Sequence, residues 1–188
     1  MPKTEADIST SVSRAISVGI TAGVIGSLAM AMYAMVISGS IKHAGYFTPI
    51  YHIASSMISD KAMETSLLGP LKGQNFFFDL GPAIEGVIIH LTVGAIAGAL
   101  FGILISKIHA SREFTVVAGT MFGLLVLVVN GFVGLPIAAH LFGGGKPISD
   151  MANIVGWGNF AGEHAIFGMM LGIVVAVKLG HSSKATNR

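Results

Sequence analysis

The sequence predicts an all-α integral membrane protein, a bundle of four helices that each cross the membrane. Of its 188 residues, 53% are hydrophobic and only 11% are charged, whereas soluble domains carry about 25% charged residues. Four apolar runs are each long enough to cross about 30 Å of hydrocarbon. The chain therefore has too little charge to cover the surface of a soluble domain.

The gaps between charged residues define the four spans. Between Arg14 and Lys42 there is no charged residue, and the later apolar runs contain few polar side chains. We predict a single membrane domain, residues 1–188, with spans over about residues 15–39, 82–106, 114–140 and 157–178 and an external loop at residues 40–81.

The second and last spans each carry a histidine at the top of a stripe of small residues. In the second span the stripe is Gly86, His90, Gly94, Gly98 and Gly102, and in the last it is His164, Gly168, Gly172 and Ala176. Residues four apart share one face of a helix, and small residues let helix backbones approach closely in a membrane. We expect both spans to pack along these stripes.

The two stripes also indicate an internal duplication. Aligning His90 with His164 aligns the glycines that follow them, and the first and third spans match less closely through Gly19-x3-Gly23 and Gly119-x3-Gly123. The second and fourth spans enter the membrane from the same side. The pattern predicts a tandem repeat of two helix pairs related by an axis along the membrane normal.

The first external loop contains a helix signal of its own. Thr48 followed by Pro49 is a favoured helix start, and Ile50, Ile53 and Ala54 follow at helical spacing. We predict a short helix lying on the outer membrane interface. The headgroup layer favours aromatic rings, and those expected there are Tyr46, Phe47, Tyr51, Phe76, Phe77 and Phe78.

The distribution of basic residues predicts the orientation. Seven of the eleven Lys and Arg lie in the N-terminal segment, the loop after the second span and the C-terminal tail: Lys3, Arg14, Lys107, Arg112, Lys178, Lys184 and Arg188. The other two loops hold Lys42, Lys61, Lys72 and Lys146. The positive-inside bias places both termini in the cytoplasm, and we expect a multi-pass protein of the cell (plasma or inner) membrane.

A series of motifs runs through about residues 15–178. It comprises a glycine-patterned first span, a segment led by Pro49, His90 with its glycines, glycine spacing that leads to Pro136, and His164-x3-Gly168-x3-Gly172. This order resembles the YagU-like four-span inner-membrane proteins and related membrane domains of unknown function. The resemblance implies the four-span topology, and it implies no catalytic residues because no activity is established for those proteins.

Five ionisable residues are predicted to lie in the outer half of the membrane: Glu85, His90, His140, Glu163 and His164. At a rise of about 1.5 Å per residue, the depth of His90 and His164 is about 10 Å. Ionisable groups are costly in a bilayer and normally face the protein interior or a water-filled cavity. We therefore expect a polar cavity that opens to the outside.

The paired histidines have several interpretations. In the simplest, each ring bonds to a neighbouring helix, with Glu85 or Glu163 as a possible partner. Alternatively, His90 and His164 are axial ligands of a haem b. A third hypothesis is a copper, zinc or iron site, whose ligands would come from His90, His140, His164, Glu85 and Glu163, with copper also suggested by Met30, Met32 and Met35. A minimal transporter remains a further alternative.

The third span contains an irregular stretch. Asn130 lies near the membrane midpoint and is followed by Gly131, Gly134 and Pro136. Proline frees a backbone carbonyl that must find another partner inside the bundle. We expect a packed kink there, and a gating hinge is the alternative.

The sequence excludes several functional classes. There is no cysteine, so the chain forms no disulfide and no thiolate metal site. The basic residues are scattered, which argues against nucleic acid as a partner, and no enzyme motif is present. Because the glycine faces exceed what four helices need, we predict a non-catalytic accessory or structural subunit of a larger membrane complex of the respiratory or membrane-oxidase type. Its expected partners are the lipid bilayer and other membrane subunits, or further copies of itself.

Overall fold

The computed structural model describes residues 5–55, 61–108 and 110–180, and every regular element in these ranges is helical. The long helices are α1 (Glu5–Ser40), α4 (Leu80–Ser106), α5 (Arg112–Val129) and α9 (Trp157–Gly180). The shorter elements are α2 (Thr48–Ser55), α3 (Lys61–Leu68), a 3₁₀ turn (Gly69–Lys72), a π-helical turn (Asn130–Gly134), α6 (Leu135–Phe142), α7 (Gly145–Ser149) and α8 (Met151–Val155).

Four segments of the described chain are long and apolar enough to cross a membrane. They are Ser11–Ser40, Leu80–Ser106, Arg112–Phe142 and Trp157–Leu179, the third of which combines α5, the π turn and α6. Each contains one of the spans expected from the sequence. The predicted all-helical bundle with four long apolar helices is therefore confirmed.

Helices α1 and α4 touch through their backbones along the first glycine stripe. A Cβ atom added at Gly23 would overlap the carbonyl oxygen of Gly94, and one added at Gly98 would overlap that of Gly19. One turn further along, Gly102 lies against the carbonyl oxygen of Ala15. The contact predicted for this stripe is present, and it occurs within the chain itself.

Helices α5 and α9 make the corresponding contact along the second stripe. Gly123 lies against the carbonyl oxygen of His164, and Gly168 lies against that of Gly119. The two close pairs are joined by α1 and α9, where the ring of Phe167 packs over Gly26. The long helices thus follow one another around the bundle in the order α4, α1, α9, α5.

The described residues of the connecting segments 41–79 and 143–156 lie together at one end of the bundle, here called the loop end. Helix α2 packs on α4 at Gly86, where an added Cβ would overlap the carbonyl oxygen of Ile50. The aromatic side chains of this loop pair with one another, as Tyr46–Phe76, Phe47–Phe78 and Tyr51–Phe77.

Tyr51 differs from the surface position expected for it. Its side chain is completely buried. The hydroxyl group donates to the Phe77 carbonyl at 3.3 Å and accepts from the Asp79 N–H at 2.8 Å. Burial raises the pKa of the Tyr51 phenol, so the hydroxyl stays a donor. Tyr51 therefore fixes α2 to the start of α4 from inside the protein.

The irregular stretch predicted in the third span is a π-helical turn. The N–H of Leu135 bonds to the carbonyl of Asn130, five residues earlier. Pro136 has no N–H and so cannot resume the α-helical hydrogen bond to Phe132. The turn lies between α5 and α6 and confirms the expected local irregularity.

The glycine contacts can be tested by adding one methyl group. We expect Gly98→Ala to destabilise the protein by about 1 to 3 kcal/mol, the usual cost of overpacking, because its Cβ would overlap the backbone of α1. Thermal unfolding in mild detergent measures the change. Gly158→Ala is the control, since a Cβ there has no neighbour within 4 Å. Equal melting temperatures for the two variants would contradict the close contact.

Candidate functional site

A cavity of about 750 Å³ lies at the loop end of the bundle. Its wall begins about where the glycine contacts stop: at Met30 on α1, His90 on α4, Asn130 after α5 and His164 on α9. Residues of α2 and α8 also line the cavity, so these short helices cover it at the loop end. The four segments long enough to cross a membrane thus change from mutual contact to enclosing a space, the third of them through its π turn and α6.

Most of the cavity lining is apolar, and its polar groups are few. The ionisable and amide side chains among the lining residues are Lys42, His52, His90, Asn130, Glu163 and His164. Lys42 is exposed at the loop end, whereas Glu163 and His164 are buried. The site therefore combines a large apolar surface with a small polar region deep in the bundle.

His90 links two of the long helices. Its Nε2 atom lies 2.9 Å from the backbone carbonyl oxygen of Ser27 on α1. A carbonyl oxygen only accepts hydrogen bonds, so Nε2 carries the hydrogen, and in the neutral ring Nδ1 keeps a lone pair. The bond to a neighbouring helix expected for a histidine on this stripe is confirmed, and its acceptor is a carbonyl oxygen and neither Glu85 nor Glu163.

The bond to a neighbouring helix that was expected for each ring is wrong for His164, whose ring is held within its own helix. Its Nδ1 atom donates to the carbonyl oxygen of Phe160 at 2.8 Å. Its ring packs edge-on against the Phe160 ring, with 4.5 Å between the ring centroids. Only 2% of the residue is exposed. By the same reasoning as for His90, the neutral ring of His164 keeps its lone pair on Nε2.

Glu163 is a buried carboxyl group with no partner in the described chain. Its exposed fraction is 7%, and no residue in 5–55, 61–108 or 110–180 forms a hydrogen bond or an ion pair with it. It borders the cavity beside His164. An ionised carboxylate at such a position is costly without a counter-ion.

The structure gathers only part of the predicted metal-ligand set. His90, His164 and Glu163 line the cavity, whereas Glu85 is half-buried outside it and His140 is exposed. Of the methionines proposed for copper, only Met30 lines the cavity. Within the described ranges, no three His, Cys, Asp or Glu side chains are grouped closely enough to hold a metal ion. The haem and metal sites stay predictions.

His52 is a site residue that the sequence reasoning missed. Its Nε2 atom donates to the carbonyl oxygen of Pro147 at 3.2 Å, which joins α2 to α7 across the loop end. The residue is only 6% exposed. It lies in the predicted loop helix, but the apolar pattern of that helix gave no reason to bury a histidine.

Comparisons of the chain with known protein families, with curated proteins and with solved structures found no match. The resemblance to YagU-like membrane proteins therefore stays a prediction.

The burial of His52 predicts a pH-dependent stability. Burial lowers the pKa of His52 below its usual value of 6.5, and the bond to Pro147 opposes this only in part. A histidine with a lowered pKa in the fold stabilises the protein above the unfolded pKa, and this contribution is lost as the pH falls through the folded pKa. We expect the wild-type melting temperature to fall as the pH is lowered below about 6.5.

Two variants isolate the contribution of His52. His52→Gln keeps a donor in the loop helix but does not titrate, so its melting temperature should depend less on pH than that of the wild type. His140→Gln removes an exposed histidine and should retain the wild-type dependence. Parallel pH profiles for all three proteins would contradict the role of His52.

Proposed function

We propose that the chain is a non-catalytic integral membrane protein that binds an amphiphilic small molecule in its loop-end cavity. The observation that carries this proposal is a cavity of about 750 Å³ with an apolar lining and a buried carboxyl group, that of Glu163, which has no partner among the described residues. Binding pockets for drug-sized molecules typically measure about 300 to 1,000 Å³ and combine an apolar lining with a few polar groups.

The arrangement of polar groups favours an extended ligand. His90 and His164 border the same cavity from different helices, and each neutral ring has one nitrogen lone pair that no described residue binds. Because these groups do not converge on a single point with a third ligand, a molecule with length suits them better than a bare ion. Haem b between the two rings is the second candidate, since both rings border one cavity.

The role as a subunit of a larger complex stays a prediction. It was based on more glycine faces than four helices need, and the observed contacts support this less well. Gly94, Gly98, Gly168 and Gly172 all pack against helices of the same chain, so these stripes leave no spare face for another subunit. A minimal transporter also stays a prediction, to which the π turn at the cavity wall contributes a candidate hinge.

We propose that both termini lie in the cytoplasm and that the loop end faces the outside of the cell membrane. At the opposite end of the bundle, Arg14 donates to the carbonyl oxygen of Lys178 at 3.4 Å, which supports one common side for these basic segments. Lys3, Lys184 and Arg188 lie outside the described residues. In this orientation α2 is an interfacial helix and the cavity occupies the outer half of the membrane.

The contacts also support the proposed tandem repeat of two helix pairs. Gly23 packs against Gly94 and Gly98 as Gly119 packs against Gly168 and Gly172. This equivalence matches Gly23 with Gly119, whereas the sequence alignment matched Gly19 with Gly119. The contacts therefore favour a register for the first and third spans that differs by one helical turn.

Filling the cavity tests the proposed function. Ala138 lines the cavity from α6, so we expect Ala138→Phe to lose any small molecule that co-purifies with the wild type. Its neighbour Ile137 is 52% exposed and lies outside the cavity, so Ile137→Phe should retain the molecule. Mass spectrometry of solvent extracts measures retention, and an absorption spectrum of the same samples detects haem. Equal retention by both variants would contradict binding in the cavity.

The orientation can be tested by cysteine labelling, because the natural chain has no cysteine. Gln74 is exposed at the loop end and Ser106 is exposed at the other end of α4. We expect Gln74→Cys to react with a membrane-impermeant maleimide in intact cells and Ser106→Cys to react only after permeabilisation. The reverse pattern would overturn the proposed orientation.

A further inference from the structure

We infer that the ligand of the cavity is a cationic amphiphile whose ammonium group binds at Glu163, while His90 and His164 offer hydrogen-bond acceptors elsewhere on the cavity wall. The inference rests on the proposed function, because it names the chemical class of a molecule that the cavity would hold. It follows from which hydrogen-bond acceptors and donors line the cavity.

Glu163 supplies the negative charge. It is 93% buried, borders the cavity and has no partner in the described chain. In a membrane, a carboxylate is stabilised by a cation that forms a direct hydrogen bond with it. Since no Lys or Arg of the described residues reaches Glu163, the ligand would provide that cation.

The histidines add acceptors to other parts of the cavity wall. Backbone carbonyls hold the hydrogens of His90 Nε2 and His164 Nδ1. The ring atoms left over, Nδ1 of His90 and Nε2 of His164, are lone-pair acceptors in the neutral rings. An ammonium group has several N–H donors and no acceptor, so it matches the Glu163 carboxylate, and the imidazole acceptors remain for polar groups along the rest of the ligand.

Groups that could hold an anion are scarce in the cavity. The hydroxyl of Ser38 donates to the carbonyl of Gly45, and that of Thr48 is bonded to Ser66. Lys42 borders the cavity but is exposed to water, where its charge is screened. Asn130 is the remaining amide and can donate or accept. The buried part of the site therefore selects for a donor and against an anionic head group.

The apolar lining accounts for the rest of the ligand. Met30, Val93, Leu135, Met151 and Phe160 come from five elements and line the same cavity. Such a surface favours an alkyl or aromatic body through burial of apolar area. A small hydrated cation would leave this surface without a partner, which is why the inference specifies an amphiphile.

Three probes of equal chain length test the head group on the wild-type protein: dodecylamine, dodecanol and dodecanoate. Binding is measured by isothermal titration with the protein in lipid nanodiscs of zwitterionic composition, after subtraction of protein-free nanodiscs. We expect dodecylamine to bind about tenfold more tightly than dodecanol, the factor that one charge-assisted hydrogen bond supplies. Dodecanoate should bind most weakly.

Two carboxyl variants then locate the charge. Glu163→Gln keeps the shape of the side chain and should weaken dodecylamine binding about tenfold while leaving dodecanol unchanged. Glu85→Gln makes the same chemical change outside the cavity and should leave both probes unchanged. Ala138→Phe should abolish binding of both. If Glu163→Gln does not fold, the affinities of the three probes for the wild-type protein decide whether the site prefers an ammonium group.

The outcomes separate the two proposals. Equal affinities for dodecylamine and dodecanol, or no effect of Glu163→Gln on a folded protein, would overturn the ammonium inference while blockage by Ala138→Phe upholds the cavity. No binding of any probe, together with no molecule extracted from the wild type, would overturn the proposed function as well. An extracted amine supports the inference whether it is an aminolipid or a free amine, which its mass distinguishes, and a neutral or anionic compound contradicts it.

Discussion

The close approach of helix backbones at glycines is the constraint on which the rest of the structure depends. Gly23 with Gly94 and Gly119 with Gly168 bring two pairs of helices into direct backbone contact. Membrane helices gain little from the hydrophobic effect between them, so such packing is a main source of association. The contacts stop near the level of Ser27 and His164. Beyond them the loop-end cavity separates the helices, and small residues such as Ala34 and Ala138 are part of its lining.

The same hydrogen bonds explain both the structural and the chemical properties of the two histidines. The bond from His90 to Ser27 connects α4 to α1, and interhelical bonds of this kind contribute about 0.6 to 2 kcal/mol. The bond from His164 to Phe160 fixes a ring within α9. Each bond uses one ring nitrogen and thereby leaves the other as an acceptor. A structural role for these residues is therefore compatible with ligand binding.

Periodic patterns made much of the fold predictable, because a spacing of four residues directly defines a helix face. The glycine contacts and the irregular turn at Asn130 both follow from such local rules. Which residues line the cavity does not follow from such rules. Glu85 and His90 are five residues apart, about 140° around a helix, and only His90 lines the cavity. A π turn takes up one additional residue, which rotates later side chains such as His140 by about 100° relative to an unbroken α-helix.

Burial at the loop end depended on contacts between distant segments, which no local pattern encodes. Tyr51 is buried by Phe77 and by the start of α4, some thirty residues later. His52 meets Pro147 of the other loop. Thr48 and Pro49 predicted a helix at this place and the helix exists. Which of its faces is buried was decided by tertiary packing, and the polar residues Tyr51 and His52 are inside.

The open order of the long helices bears on how a ligand reaches the cavity. Helices α4 and α6 both line it, yet they hardly touch each other, whereas α1 packs against both α4 and α9. The loop end is closed more firmly, because α2 is tied to α7 through His52 and to the start of α4 through Tyr51. For the proposed amphiphile, the side between α4 and α6 would be a route from the bilayer that separates no closely packed pair of helices.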